Sequence, residues 1–405
     1  MSADLVIHAG RLLLSDRATI AENQRIVVRD SKIESIEPAT SRVSSPEVID
    51  LSDMTVLPGL IDCHTHLTVP HEMKNIVDEL RRSPARCALE AIPNVRMKLL
   101  SGFTTVREAG SYWAFIDVAV RDAIARGDVV GPTMLVPGAF ITMTGGAGAL
   151  TGVAPEVELP LPLRYGQANG PYNIRERIRA VAVNGADVIK IFATGAVMSH
   201  GNNLPTSTEF TLEELEAAVD EARNLGLKVM AHAHAAAGIK NAVLAGAASI
   251  EHGSMIDEET AQLMKERGTY LVPTLSVWDC MHDGSHRSPE FIAKGKIIAS
   301  RHGTGFQCAL RSGVKIALGS DSVVCPHDTG ARELHHMVRY GMTPMAAIQA
   351  ATTHAAELLG KTDIGALAPG KKADIIAVRG DPLSNIDLFA NVSFVMKHGM
   401  IHKRQ

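Results

Sequence analysis

The sequence predicts an α/β fold, a (β/α)8 TIM barrel with a small composite β-sandwich domain. Three observations carry that expectation. Residues 1–57 hold short β-branched segments with no helical period. From Gly59 onward, strand-like and helix-like segments alternate, the pattern of a parallel barrel. After Gly365 the β texture returns. A chain of 405 residues has room for a barrel of about 250 residues and a smaller second unit.

In chain order, the N-terminal strands are Leu5–His8, Arg25–Val28, Lys32–Ile36, Val48–Asp50 and Met54–Leu57, each bounded by Gly, Asp or Pro. Eight barrel strands follow: Leu60–His66, Thr104–Arg107, Thr133–Ile141, Val188–Ala193, Lys228–His234, Ser249–His252, Tyr270–Leu275 and Lys315–Ser320. Among the intervening helices, Thr211 and Glu214 form a capping box ahead of the stripe Leu212, Leu215, Val219 and Ala222. Thr343 caps another helix, with Pro344 in its first turn and Gly360 at its end. Strands Ala373–Val378 and Ser393–Met396 are expected to pair with the N-terminal ones. Residues 1–57 and 365–405 then form one sandwich, with the barrel of residues 58–364 inserted into it.

Composition excludes several classes. Apolar residues at 46% and charged residues at 21% fit a large core and exclude disorder. A formal charge of -4 gives no reason to expect nucleic acid. The apolar runs are interrupted by charge or Pro, so no membrane span is expected. The N-terminus has no basic region or cleavage site, so no signal peptide is expected either. The five cysteines are scattered and odd in number; they suggest no disulfide framework and point to a reducing cytoplasm.

The chemistry is expected at the C-terminal strand ends. Alternation points His64 and His66 to the same side, into the barrel, where two imidazoles can hold one metal ion. Alone, that pair reads equally well as two polar residues at a barrel mouth. Lys190 adds to it, a charge in the middle of an apolar strand. Either an acid neutralises it, or it is carbamylated and its carboxylate bridges two cations. His232 and His234 end the fifth strand, His252 the sixth and Asp321 the eighth. Metal-ligand types thus gather at one rim, and a metal site is expected. Cys63 falls on the opposite face and is expected to pack between barrel and helices.

The segments Val56–His66, Lys190–Gly195, His232–His234, Glu251–Gly253, Gly319–Asp321 and Gly365–Asp374 resemble the amidohydrolase superfamily, in a branch similar to Xaa-Pro dipeptidases and related to imidazolonepropionases. The resemblance spans essentially the whole chain. It implies a metal-dependent hydrolase acting on an amide, ester or amine carbon. It also implies two divalent ions, expected to be zinc. His64 and His66 would hold the more buried ion together with Asp321. Lys190 would be the carbamylated bridge, and His232 and His252 would hold the second ion. Of the two fifth-strand histidines, the family's ligand corresponds to His232. His234 would then contact the substrate carbonyl or orient a ligand. One departure stands out: Ala147 occupies the position of a histidine that many relatives carry in a Gly-rich loop.

The expected mechanism has Asp321 accept the proton of the attacking water and deliver it to the leaving amine. Ser320 and Ser322 flank Asp321 but have no base placed for them. Arg107, His327 and Arg332, with His234, are candidates for a substrate carboxylate; an ion pair of Arg107 with Glu108 or another acid and a solvated loop at His327 and Arg332 are the plainer readings. Trp278 either lines the pocket or anchors its loop. His71, His200, His282, His286 and His302 are read as surface residues. The expected reaction is cleavage of dipeptides or N-acyl (including aryl-acyl) amino acids, releasing a C-terminal amino acid. The alternative is a cyclic-amide hydrolase or deaminase. The expected partner is a small-molecule substrate, and the chain is expected to act as a homo-oligomer.

Overall fold

The computed structural model describes residues 5–40, 47–71, 76–201, 203–281 and 288–405. Its first strands are β1 (Leu5–Leu14), β2 (Thr19–Arg29), β3 (Lys32–Pro38) and β4 (Glu47–Pro58). The barrel strands follow as β5 (Leu60–Thr65), β6 (Phe103–Glu108), β7 (Thr133–Leu135), β8 (Phe140–Ile141), β9 (Val188–Phe192), β10 (Lys228–Ala233), β11 (Ser249–His252) and β12 (Tyr270–Val272). The chain closes with β13 (Ile375–Arg379), β14 (Phe394–Lys397) and β15 (Met400–Arg404).

The terminal strands hydrogen-bond as one continuous sheet in the order β15-β14-β13-β4-β1-β2-β3. Strand β4 joins the two ends of the chain, parallel to β1 on one side and antiparallel to β13 on the other. The sheet curls. Ile33 N donates to Lys371 O and Gly370 N donates to Ile33 O, both at 2.8 Å, which ties the β3 edge to the segment entering β13. Inside lies an apolar core that includes Ile7, Leu12, Ile26, Ile49, Val56, Ile375 and Phe394. Branched side chains favour strands here because their stiff χ1 packs well on a pleated surface.

Strands β5-β6-β7 and β8-β9-β10-β11-β12 form two parallel sheets. The expected third strand is interrupted at Pro137 and Gly138: proline offers no N–H, and Gly138 turns at φ 72°. Across that break Asp187 N donates to Val136 O at 2.7 Å. The expected eighth strand carries only an isolated bridge, Leu271 to Ile316. Its backbone nevertheless bonds to both neighbours. Ala317 N reaches Leu271 O at 3.0 Å, and Cys63 N reaches Leu318 O at 2.8 Å. Hydrogen bonds therefore run around the whole ring, and the C-terminal strand ends converge on one mouth.

The capping box at Thr211 starts the helix Leu212–Asn224, which buries Leu215, Ala218 and Ala222. The single helix expected after Thr343 is two, Pro344–Ala350 and Thr353–Leu359, because Thr352 leaves the helical region at φ -134° and ψ -90°. Cys63 packs among Tyr270, Ala317 and Leu358. The cysteine reading needs correction. Cys280 and Cys325 form a disulfide, their Cα atoms 5.5 Å apart, so cysteine usage no longer argues for a reducing compartment. Among the described residues, no helix is long and apolar enough to cross a membrane.

Candidate metal centre

Four imidazoles at the strand ends are oriented by a bond through one ring nitrogen, which leaves the other toward a common centre. His64 Nδ1 donates to Glu251 Oε2 at 2.7 Å, and His66 Nδ1 donates to Gly110 O at 2.6 Å. Their Nε2 atoms lie 3.6 and 3.4 Å from Asp321 Oδ1. His232 is held the other way round: its Nε2 donates to Gly195 O at 3.3 Å, leaving Nδ1. His252 Nδ1 meets Thr274 Oγ1 at 2.7 Å. Orienting bonds of this kind are what metal-ligating histidines use to fix tautomer and ring plane.

Ligand atoms of His64, His252 and Asp321 lie within 4.8 Å of one another, and so do those of His232, His234 and His252. Burial holds the imidazoles neutral. It pushes His66 and His234 down to about 3, and His64, His232 and His252 well below the ordinary histidine range. Neutral rings with bare nitrogens, converging beside a carboxylate, fit divalent cations. Lys190 is buried with its Nζ 5.3 Å from the Phe192 ring centre. Desolvation lowers its amine to about 8, against the pull of Glu251 and Asp321. His252, Thr274 and Asp321 all sit at positive φ, 70°, 53° and 50°. Such left-handed non-glycine residues are uncommon and cluster at functional sites.

The cleft above these groups spans about 1060 Å³, open solvent at its mouth included. Tyr112, Phe140, Ala147 and Phe192 form one wall, and Trp278, Met281 and Met198 contribute to another. Ala147 lies in an apolar patch with Phe140, Phe192 and Ala196. Its backbone N–H donates to Glu209 Oε1 at 2.5 Å.

The structure brings His64, His66, Lys190, His232, His234, His252 and Asp321 to this cleft. It does not bring Arg107, His327 or Arg332, and their expected contact with substrate is corrected. Arg107 is buried behind His64, donating to Cys63 O at 2.7 Å, Ser249 Oγ at 3.1 Å and Glu251 Oε1 at 2.8 Å. Its partner is Glu251; Glu108 instead bonds Thr65 Oγ1 and the backbone N–H of Leu67 and Thr68. His327 is buried, with Nε2 donating to Val69 O at 3.1 Å. Arg332 is exposed at the start of its helix. Among the described residues, Lys190 is the only lysine or arginine lining the cleft.

His302, read as a surface residue, is buried and bonded to Ser254 and Pro273 O. His71 Nδ1 reaches Val323 O at 3.1 Å, and His200 is half-buried beside Glu290. His282 and His286 lie outside the described residues. Sequence reasoning assigned no role to Glu251, although it carries the signal that singled out Lys190, a charge in an apolar strand. It also missed the buried pair Lys98–Asp62, 2.6 Å apart. Asp62 Oδ1 accepts from the backbone N–H of both His64 and Ser320, at 3.1 and 3.0 Å, and so braces the strand ends that carry His64 and Asp321.

Comparison with known proteins agrees with this geometry. The amidohydrolase family matches residues 55–402. Ochratoxinase from Aspergillus niger is 33% identical, over 98% of this chain and 86% of that protein. Imidazolonepropionase from Paracoccus denitrificans is 24% identical, over 91% of this chain and 92% of that protein. The crystal structure of a Xaa-Pro dipeptidase with methionine in its active site superposes with a TM-score of 0.91 at 34% identity, covering 99% of this chain and 100% of that one. The chain is a member of the amidohydrolase family.

Proposed function

We propose that this amidohydrolase is a binuclear metal-dependent enzyme that hydrolyses the amide bond of dipeptides or N-acyl amino acids, aryl-acyl ones included, and releases the C-terminal amino acid. The observation that carries the reading is the convergence of oriented, neutral imidazole nitrogens on Asp321 Oδ1. In this reading His64, His66 and Asp321 would hold one ion and His232 and His252 the other, with Lys190, carbamylated, as a further ligand. Zinc suits the imidazole and carboxylate donors. Bound there, the metal pair supplies a water acidified toward neutral pH and a Lewis acid for the carbonyl.

The chain's own residues do the rest. Asp321 takes the proton of the attacking water and returns it to the departing amine nitrogen. Glu251 and Gly110 O keep His64 and His66 turned toward Asp321. Tyr112, Phe140 and Phe192 form a linked edge-to-face set, with centroids 5.6 and 5.4 Å apart, against which a flat apolar acyl group packs. Ala147 leaves room beside them.

A second reading, hydrolysis of a cyclic amide, draws on one observation: no arginine lines the cleft among the described residues, so none of the described guanidinium groups faces a substrate carboxylate there. Product analysis decides between the two. Metal-loaded protein is incubated with N-acyl amino acids, dipeptides and cyclic amides. The proposal expects a free amino acid and a carboxylic acid. A ring-opened acid alone would transfer the assignment to the second reading, and ammonia alone to a deaminase.

A further inference from the structure

Behind His234 runs a short buried chain of hydrogen bonds whose direction can be read from its far end. His302, on the helix Pro289–Ser312, places Nε2 2.7 Å from Pro273 O. A carbonyl oxygen only accepts, so His302 carries a proton on Nε2. Burial pushes this histidine down to about 4, so it holds a single proton and Nδ1 is bare. Ser254 Oγ lies 2.6 Å from that Nδ1 and gives it the hydroxyl proton. The same oxygen, 2.8 Å from His234 Nδ1, must then accept. Ser254, His302 and His234 are all buried. The Trp278 and His302 rings meet edge-to-face with centroids 5.6 Å apart.

We propose that Ser254 and His302 are positioning residues that hold the proton of His234 on Nδ1, so that His234 presents a lone pair at Nε2 and accepts a hydrogen rather than donating one to the substrate carbonyl. The expected contact of His234 with the substrate carbonyl, which needs a donor at Nε2, is thereby replaced by an acceptor. The acceptor it offers suits an N–H or O–H hydrogen of the substrate or of the attacking water. Because the chain ends on a carbonyl, which cannot pass a proton on, it fixes a tautomer and does not conduct protons. The turn at Pro273 and Thr274 serves two histidines at once, since Thr274 Oγ1 also orients His252.

The tautomer follows from the hydrogen-bond chain together with the burial that keeps His302 neutral; only its consequence for substrate rests on the amide-hydrolase reading. The test is a long-range ¹H–¹⁵N correlation spectrum of zinc-loaded protein labelled with [¹⁵N]histidine, with His234 assigned by its loss in His234→Gln. The expected result is a proton on Nδ1. A proton on Nε2 overturns the proposal, whether or not the protein hydrolyses amides. His302→Phe should lose the fixed tautomer. His302→Gln, which can turn its carbonyl to Ser254 and its amide N–H to Pro273 O, should rescue it. Ser254→Ala should lower kcat ~10-fold with KM within about twofold, the scale of lost ligand orientation. An unchanged kcat in Ser254→Ala would overturn the catalytic part. If Ser254→Ala does not fold, the wild-type spectrum still decides the tautomer.

Discussion

Arg107 Nη2 and Glu251 Oε1 stand 2.8 Å apart in the barrel interior, and the other oxygen of the same carboxylate holds His64 Nδ1 at 2.7 Å. The arginine therefore acts on His64 through Glu251. Breaking a buried pair by removing one partner costs ~3–5 kcal/mol, because the remaining charge is stranded. Arg107→Met is expected to lower the thermal midpoint and the metal content together, checked by calorimetry and elemental analysis. A variant with normal stability and metal but a raised KM would show that Arg107 reads the substrate after all.

Lys190→Ala is expected to lose most activity and part of its metal. The reason is a buried lysine facing the ring of histidines, with Glu251 and Asp321 acting on its charge. A crystal structure of the metal-loaded wild type checks the chemistry. A carbamate on Nζ between two ions is expected; a bare amine paired to an acid away from metal would defeat the assignment.

Asp321→Asn should keep the fold and at least one ion while kcat falls ~10²-fold or more, the scale of lost acid–base help. Metal analysis and steady-state kinetics measure this. Near-normal turnover would mean that another group moves the proton.

Several parts of this site were legible in the sequence, for physical reasons that differ by residue. Strand alternation placed His64 and His66 on one face, and the charge of Lys190 stood out in an apolar strand. Alternation puts His232 and His234 on the same side and so cannot choose between them; what separates them is which nitrogen each bonds, Nε2 to Gly195 O or Nδ1 to Ser254. Arg107 was visible as a charge, but its partner lies 144 positions away on another strand. His302 sits in a helix with several polar neighbours, and its burial follows from how that helix packs on Ser254 and Pro273. The expected third strand runs through Pro137, although proline's missing N–H marks the break.

The Cys280–Cys325 link was hidden by a separation of 45 residues. It joins two segments that line the cleft, one carrying Trp278 and Met281, the other Val323 and Val324. Cys280→Ser is expected to lower stability by ~2–4 kcal/mol through a looser unfolded chain. It should also raise KM for substrates with bulky acyl groups. Thermal melts and kinetics under non-reducing conditions measure both, and a variant unchanged in each would show that the link has no part in shaping the cleft.

A two-ion hydrolytic centre is tested most directly by a metal titration. Protein stripped by chelator is titrated with zinc while release of the amino acid from an N-aryl-acyl amino acid is followed. No turnover is expected at the start, with a plateau at about two ions per chain, as a ligand set too large for one tetrahedral ion requires. Full activity at one ion or fewer, or amide hydrolysis undiminished by stripping, would contradict it.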